Sequence, residues 1–425
     1  MLRTIGGVRS GDRRDCSRPH WRSPAGPTAT TRARWIRLLV VGLGCVLAAA
    51  CTSPERQEAT ATSQAAAAPI QRDYWPTAGW RTAAPAEQGV DPAVLDDLDA
   101  IVPAGYPSVR SVLVVRHGYL VVERYRKGVK AGDGHDVRSV TKSFVSALVG
   151  IALRDRQLQG LDQTVEELLA DHLPATADPR LRQVTVEQLL TMTSGLAGDD
   201  ASLGGDDDIW TEMLNSPDWV RHILGRRLDS TPGDDAAYSS ATSHLLSAIV
   251  ADATGQSTLA FARAKLFGPL GIATDNALEQ TIRHWPPTPA ELAAYERATV
   301  AWPRDPQGYH FGGAFLKLPA RDLAKFGYLY LNGGRWDRTQ VVPADYVAAS
   351  TRPQSEPGGP GDYGYQWWVT NETGPGSFRA QGYGGQLIQV IPDLDLVVVI
   401  TSNVNQESRD PSKLVRAVII PAVTG

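Results

Sequence analysis

The chain has 425 residues, 42% of them hydrophobic and 21% charged, with 40 Gly and 29 Pro. It is long enough for one large domain or two smaller ones, and this make-up excludes a disordered, collagen-like or multi-span membrane protein. The first 50 residues hold nine Arg, no Lys and two acids, which leaves 33 of the 42 bases against 44 of the 46 acids for the rest; so acidic a body, with no basic stripe, argues against a nucleic-acid partner.

The N-terminal segment reads as an export signal. Arg32, Arg34 and Arg37 precede a 13-residue apolar run, Leu38 to Ala50, which is short for a membrane span and suited to a signal-peptide core. The run ends in Leu47-Ala-Ala-Ala50-Cys51, which resembles the cleavage box of bacterial lipoproteins with its Leu one position further upstream. That resemblance implies a diacylated Cys51 as the mature N-terminus; the alternative is an ordinary small-residue cleavage site beside a passive Cys. The residues from Thr52 to Pro69 are small and polar, as a flexible tether is. The expected layout is a signal peptide at 1–50, the anchor Cys51 and tether at 51–72, and a folded domain at 73–425. The expected location is the outer face of the bacterial cell membrane, held by lipid alone, or the secreted fraction. Cys16, Cys45 and Cys51 are the only cysteines, so the folded domain has no disulfide, thiol nucleophile or thiolate metal site.

Within the domain, Ser111 to Tyr125 reads as two β-rich runs about a turn at His117-Gly118, a hairpin signal. The segment from Ser139 to about Arg156 has a helical pattern that is apolar nearly all round, which predicts a buried helix. Residues from about 160 to 300 are helical and loop-like, with Gly stops at Gly195 and Gly255. A further helix from Ala320 closes at Asn332-Gly333-Gly334. The last hundred residues return to strands at 364–369, 385–391 and 394–401 before a terminal helix. Strands at both ends with helices between them predict an α/β (α+β) fold, an antiparallel sheet built from both chain ends plus a mostly helical insertion. The active site is then expected between the two parts.

No His-Glu-x-x-His zinc motif, Walker loop, G-x-S-x-G elbow or dinucleotide fingerprint is present, and the eight His are scattered without ligand spacing. No metal and no cofactor is expected. What is present is Ser139-Val-Thr-Lys142 at the start of the buried helix. Residues three apart share a helix face, so hydroxyl and amine lie within hydrogen-bond reach. The helix dipole behind Ser139 favours negative charge developing at an attacked carbonyl, and a desolvated Lys142 can act as a base. The plain alternative is an N-cap serine. Against it, Lys142 is the only one of the domain's seven Lys with a Ser three residues before it, and a Lys on an apolar helix calls for a partner. Pro232-Gly233 leads to Tyr238-Ser239-Ser240 just before another helix; by itself Tyr238 reads as a half-buried core phenol. Arg379-Ala-Gln-Gly382-Tyr383-Gly384-Gly385-Gln386 places glycines inside a strand pattern, the mark of a close backbone approach or of a bulge.

Taken in this order, the three stretches resemble the serine β-lactamase and penicillin-binding protein superfamily, in particular its class C β-lactamase, D-Ala-D-Ala carboxypeptidase and esterase branch. Gln188-Leu-Leu-Thr-Met-Thr-Ser-Gly-Leu196, Leu266-Phe-Gly-Pro-Leu-Gly-Ile272 and Leu318-Pro-Ala-Arg-Asp-Leu-Ala-Lys-Phe-Gly327 are similar to its framework, and the likeness covers about residues 75 to 425. The resemblance implies a β-lactamase/transpeptidase-like fold, with Ser139 the acylated nucleophile, Lys142 its activating partner and Tyr238 the proton shuttle. It implies oxyanion donors in the amides of Ser139 and of a third-motif strand residue, taken as Gln386, and substrate contacts from Ser240, Tyr383, Gly384 and Gly385.

Two positions depart from the family pattern. Ser240 stands where Asn is common, and the third motif lacks the Lys or His that binds a penicillin carboxylate; Arg379 is the nearby cation. Lys325-Phe-Gly327 lies in a helical pattern and reads as framework. A Tyr-Gly-Gly strand is closer to the family's esterases and linear-amide hydrolases, nylon-oligomer hydrolases included. The expected function is therefore hydrolysis of a small-molecule ester or amide through a Ser139 acyl-enzyme, with a β-lactamase or D-Ala-D-Ala carboxypeptidase, or a non-catalytic envelope receptor on the same fold, as alternatives.

Overall fold

Strands β1 (Val109–Arg116) and β2 (Tyr119–Tyr125) are joined at His117-Gly118. Both turn residues have positive φ, 51° and 87°, which matches the right-handed twist of a two-residue hairpin. The computed structural model describes residues 71–198, 209–359, 361–370, 375–406 and 408–424. The export segment, Cys51 and the tether up to residue 70 lie outside the described residues. No helix among those described is long and apolar enough to cross a membrane.

A short ribbon pairs β3 (Gly134–Asp136) with β4 (Lys317–Pro319). The later strands β5 (Asp362–Tyr363), β6 (Trp368–Thr370), β7 (Ser377–Gly382), β8 (Gln386–Ile391) and β9 (Leu396–Ser402) complete a seven-stranded antiparallel sheet in the order β2-β1-β9-β8-β7-β6-β5. Strand β9, late in the chain, pairs with β1, placing Leu113 opposite Val399. The sheet is thus assembled from both ends of the domain.

Both faces of the sheet are covered, so its central strands read as unbroken apolar runs rather than as an alternation. Val112, Val114, Leu387, Val398 and Ile400 pack with Val94, Leu98 and Val102 of helix α1 (Ala93–Gly105) and with Leu414 and Ile419 near the C-terminus. Leu113, Val115, Ile388, Val397 and Val399 face the larger core. That core includes Phe144 and Leu148 of helix α2 (Val140–Arg154) and Phe326 of a later helix, whose ring stacks on Phe144 with centroids 3.7 Å apart.

Every residue of α2 from Val140 to Ala152 is buried. Helix α3 (Val186–Leu190), started by the Thr185/Gln188 capping box, and helix α4 (Ser240–Thr254), ended by Gly255 in the left-handed region, pack in the helical part of the chain between β3 and β4. Helix α5 (Pro289–Arg297) lies toward the surface, and α6 (Ala320–Leu331) packs on the sheet through Phe326 and its neighbours. Lys325 sits inside α6, so Lys325-Phe-Gly327 belongs to helix framework and to no strand motif.

Candidate active site

The site forms where the first turn of α2 meets the start of α4, the loop before β4 and the end of β7. Ser139 is the residue from which α2 starts, with helical angles (φ −65°, ψ −8°), and its side chain makes no capping bond. The hydroxyl is therefore not spent as an N-cap. The residue before it, Arg138, has φ 50° and is pinned by its own N–H donating to Asp136 Oδ1 (2.9 Å) and by its guanidinium against the same carboxylate (3.1 Å). A non-glycine residue held in the left-handed region costs on the order of 1 kcal/mol or more, and such strain gathers at functional sites.

Lys142 lies one turn on and is 1% exposed. Its Nζ donates to Ser139 Oγ (3.2 Å), Ser240 Oγ (2.6 Å) and the carbonyl of Gly313 (2.8 Å). Gly313 is required here, because a Cβ on it would come within 2.7 Å of Ser240 Cβ. Tyr238, half-buried, presents its ring face to Lys142 Nζ at 4.8 Å from the centroid. On its other sides the ring stacks on Trp368 (5.4 Å, 18°) and meets Tyr363 edge-on (5.9 Å, 84°). Below it, Met192 at φ 63° turns its sulfur to accept the Ser239 N–H (3.4 Å) and the Thr242 hydroxyl (3.1 Å), fixing the entry into α4.

The structure thus brings Ser139, Lys142, Tyr238 and Ser240 together. Ser240, expected to meet substrate, is 1% exposed and its hydroxyl faces Lys142. The strand register also differs from expectation. Gly382 is the residue packed on the serine: a Cβ there would collide with Val137 O and approach Ser139 N to 3.1 Å. Gly384 (φ 77°) and Gly385 (φ 88°) belong to the turn after β7 and pack instead on Val404 and Ser402.

Gln386 lies opposite Gly382 on β8, one strand further from the serine, and its side-chain amide is bonded to the backbone of Ser402. The strand segment facing Ser139 is Ala380-Gln381-Gly382. Tyr383, 67% exposed, follows it at the mouth. Among the described residues, neither the Ser139 nor the Tyr383 amide has a backbone acceptor. Arg379, 3% exposed, donates to Thr370 Oγ1 (2.8 Å) and Gln381 Oε1 (2.9 Å). His310 is fully buried with its ring nitrogen 3.1 Å from Glu279. Among the described residues no group of three or more His, Cys, Asp or Glu is placed to hold a metal ion.

Sequence reasoning missed the Gly313 carbonyl, Met192 and Trp368. Backbone acceptors carry no side-chain signature, although the Gly312-Gly313 pair after a buried aromatic marked a close approach.

The family model described as Beta-lactamase matches residues 103–420. The 6-aminohexanoate-dimer hydrolase of Paenarthrobacter ureafaciens is 26% identical over 312 residues, 68% of this chain and 71% of that protein. Penicillin-binding protein 4 of Amycolatopsis lactamdurans is 28% identical over 281 residues, 62% of this chain and 71% of that protein. Among solved structures, a family VIII carboxylesterase superposes with a TM-score of 0.59 at 18% identity, covering 81% of this chain and 98% of the other.

Proposed function

The chain belongs to the beta-lactamase family, and from that premise we propose that this serine hydrolase cleaves an uncharged ester or linear amide through an acyl-enzyme on Ser139. The observation that carries the reading is the serine hydroxyl left free of capping and set 3.2 Å from a buried lysine amine. In the first step Ser139 Oγ attacks the substrate carbonyl while its proton passes to the lone pair of an unprotonated Lys142 Nζ, with the Ser139 hydroxyl then the donor across their 3.2 Å contact, or to Tyr238 acting as the phenolate. The amides of Ser139 and Tyr383 receive the oxyanion; the neighbouring helix start adds its dipole. Tyr238 then returns a proton to the departing alcohol or amine, and water releases the acyl group by the reverse path.

The substrate class follows from what the facing strand segment lacks. Ala380-Gln381-Gly382 carries no cation, and Arg379 is bonded within the sheet. A charge-assisted hydrogen bond to a carboxylate contributes about 1.5–3 kcal/mol, so its loss weakens anionic substrates by roughly one to two orders of magnitude. A panel of short-chain p-nitrophenyl esters, linear aminohexanoate amides, nitrocefin and D-Ala-D-Ala peptides tests this. Efficient nitrocefin or peptide turnover, with esters no faster, sinks the ester and linear-amide reading in favour of a β-lactamase or carboxypeptidase. For location we propose export with a diacylglyceryl group on Cys51, resting on the apolar run and small-residue box before it. Unchanged membrane attachment of Cys51→Ser would rule out the anchor.

A further inference from the structure

Arg138, the residue before Ser139, lines a cavity of about 550 Å³, within the range of small-molecule sites. Its rim is made from the same segments that build the serine centre. Arg138 immediately precedes Ser139, Phe315 follows two residues after the Gly313 carbonyl that holds Lys142, and Val404 packs on Gly384 in the turn that carries Tyr383. The wall beyond is aromatic and aliphatic. Phe315 stacks on Trp285 (5.6 Å, 23°) and meets Tyr295 edge-on (6.5 Å, 82°), while Leu292 of α5 is 44% exposed, one of three large hydrophobic side chains so exposed among the described residues.

Three of the polar groups nearest the aromatic face are turned to the protein, while Arg110, Asp133, Glu296 and Arg297 line other parts of the cavity. The Arg138 guanidinium is paired with Asp136 and lies 5.2 Å over the Phe315 ring. Lys317 Nζ donates to the carbonyls of Tyr295 (2.9 Å) and Glu296 (2.7 Å). Burial pushes His135 down to about 4, so its ring is neutral at working pH. On this side of the cavity a ligand meets the apolar face of Phe315, Trp285 and Leu292.

We infer that this cavity is the subsite for an uncharged apolar substituent of the substrate, an alkyl chain or an aryl ring, carried on one side of the scissile bond and laid against Phe315, Trp285 and Leu292. The inference rests on the Ser139 hydrolase reading and sharpens its substrate class. Each methylene that enters such a wall raises kcat/KM by on the order of fourfold until the cavity is filled. Neither Leu292 nor Trp285 touches the Ser139–Lys142 pair, so their replacement leaves the shortest substrate unaffected.

The test is two ester series on the full-length protein. In one the acyl chain grows from acetate to octanoate with p-nitrophenol constant; in the other the alcohol grows with acetate constant. We expect a steep rise in one series, which identifies the side of the scissile bond that enters the cavity. We expect Leu292→Glu and Trp285→Ala to cut the ratio of longest to shortest substrate at least tenfold, with the shortest ester within twofold of wild type. An ester of the same length ending in a carboxylate should be slower than its neutral counterpart. Length profiles unchanged in both variants, or preference for the carboxylate-tailed ester, overturn the proposal while leaving the hydrolase reading intact. If no ester is turned over, alkyl fluorophosphonates of increasing length replace them. Ser139 labelling that ignores chain length overturns the subsite alone, and no labelling overturns the hydrolase reading with it.

Discussion

Of the three lysines buried among the described residues, Lys325 and Lys142 are held in contrasting ways. Lys325, 6% exposed in α6, donates to the Gly271 carbonyl (2.7 Å) and lies 3.2 Å from the Asp322 carboxylate one turn earlier. That is how a fold holds a buried charge in place, with a counter-charge on the same helix face. Lys142, 1% exposed, has as its named partners three neutral oxygens, the hydroxyls of Ser139 and Ser240 and the carbonyl of Gly313. A lysine held this way has its amine within hydrogen-bond reach of a serine oxygen. Under the proposed mechanism Lys325 is structural and Lys142 is the lysine that takes part in proton transfer.

Replacing each lysine in turn tests the distinction most strongly. Lys142→Met should lower kcat for the best ester by about 10²- to 10⁴-fold, the usual contribution of a positioned base. Thermal denaturation checks that the variant remains folded. Lys325→Met should leave kcat within a few fold and lower stability by about 1–3 kcal/mol, because it leaves the Asp322 carboxyl, already pushed up by burial, without its cation. Equal kinetic losses in the two variants would erase the contrast.

A smaller loss is expected at Tyr238, whose ring Lys142 faces. Tyr238→Phe keeps the stack on Trp368 and removes only the hydroxyl, so kcat should fall roughly 10²-fold with KM little changed. Smaller again is the expected specificity ratio. Because the facing strand lacks a cation, kcat/KM for neutral short esters should exceed that for nitrocefin or penicillin by at least about tenfold. Met192→Leu should have the least effect. It removes the sulfur that accepts the buried Ser239 N–H, lowering stability by about 1–3 kcal/mol with a few-fold loss in kcat, measured by denaturant titration and steady-state kinetics.

How much of this was legible beforehand differs by residue type. The hairpin at His117-Gly118, the buried helix from Ser139 and the helical setting of Lys325 follow from turn chemistry and hydrophobic pattern, and the structure has all three. Ser139 and Lys142 were legible because spacing on a helix fixes proximity. The glycine-rich strand was not, because Gly382, Gly384 and Gly385 look alike in sequence. Only the turn at Tyr383 decides that Gly382 stays in the strand against Ser139 while the other two curl away onto Val404 and Ser402, leaving Gln386 on the next strand. Ser240 was expected to face substrate. Its burial against Lys142 depends on how α4 packs on α2, which no local pattern encodes.

The central claim is that Ser139 is the nucleophile. The direct measurement is incubation of the purified full-length protein with a fluorophosphonate, proteolysis, and mass spectrometry of the adduct. We expect one adduct, on the peptide bearing Ser139, and none in Ser139→Ala. An adduct on any other serine, or none on folded wild-type protein, would contradict the assignment.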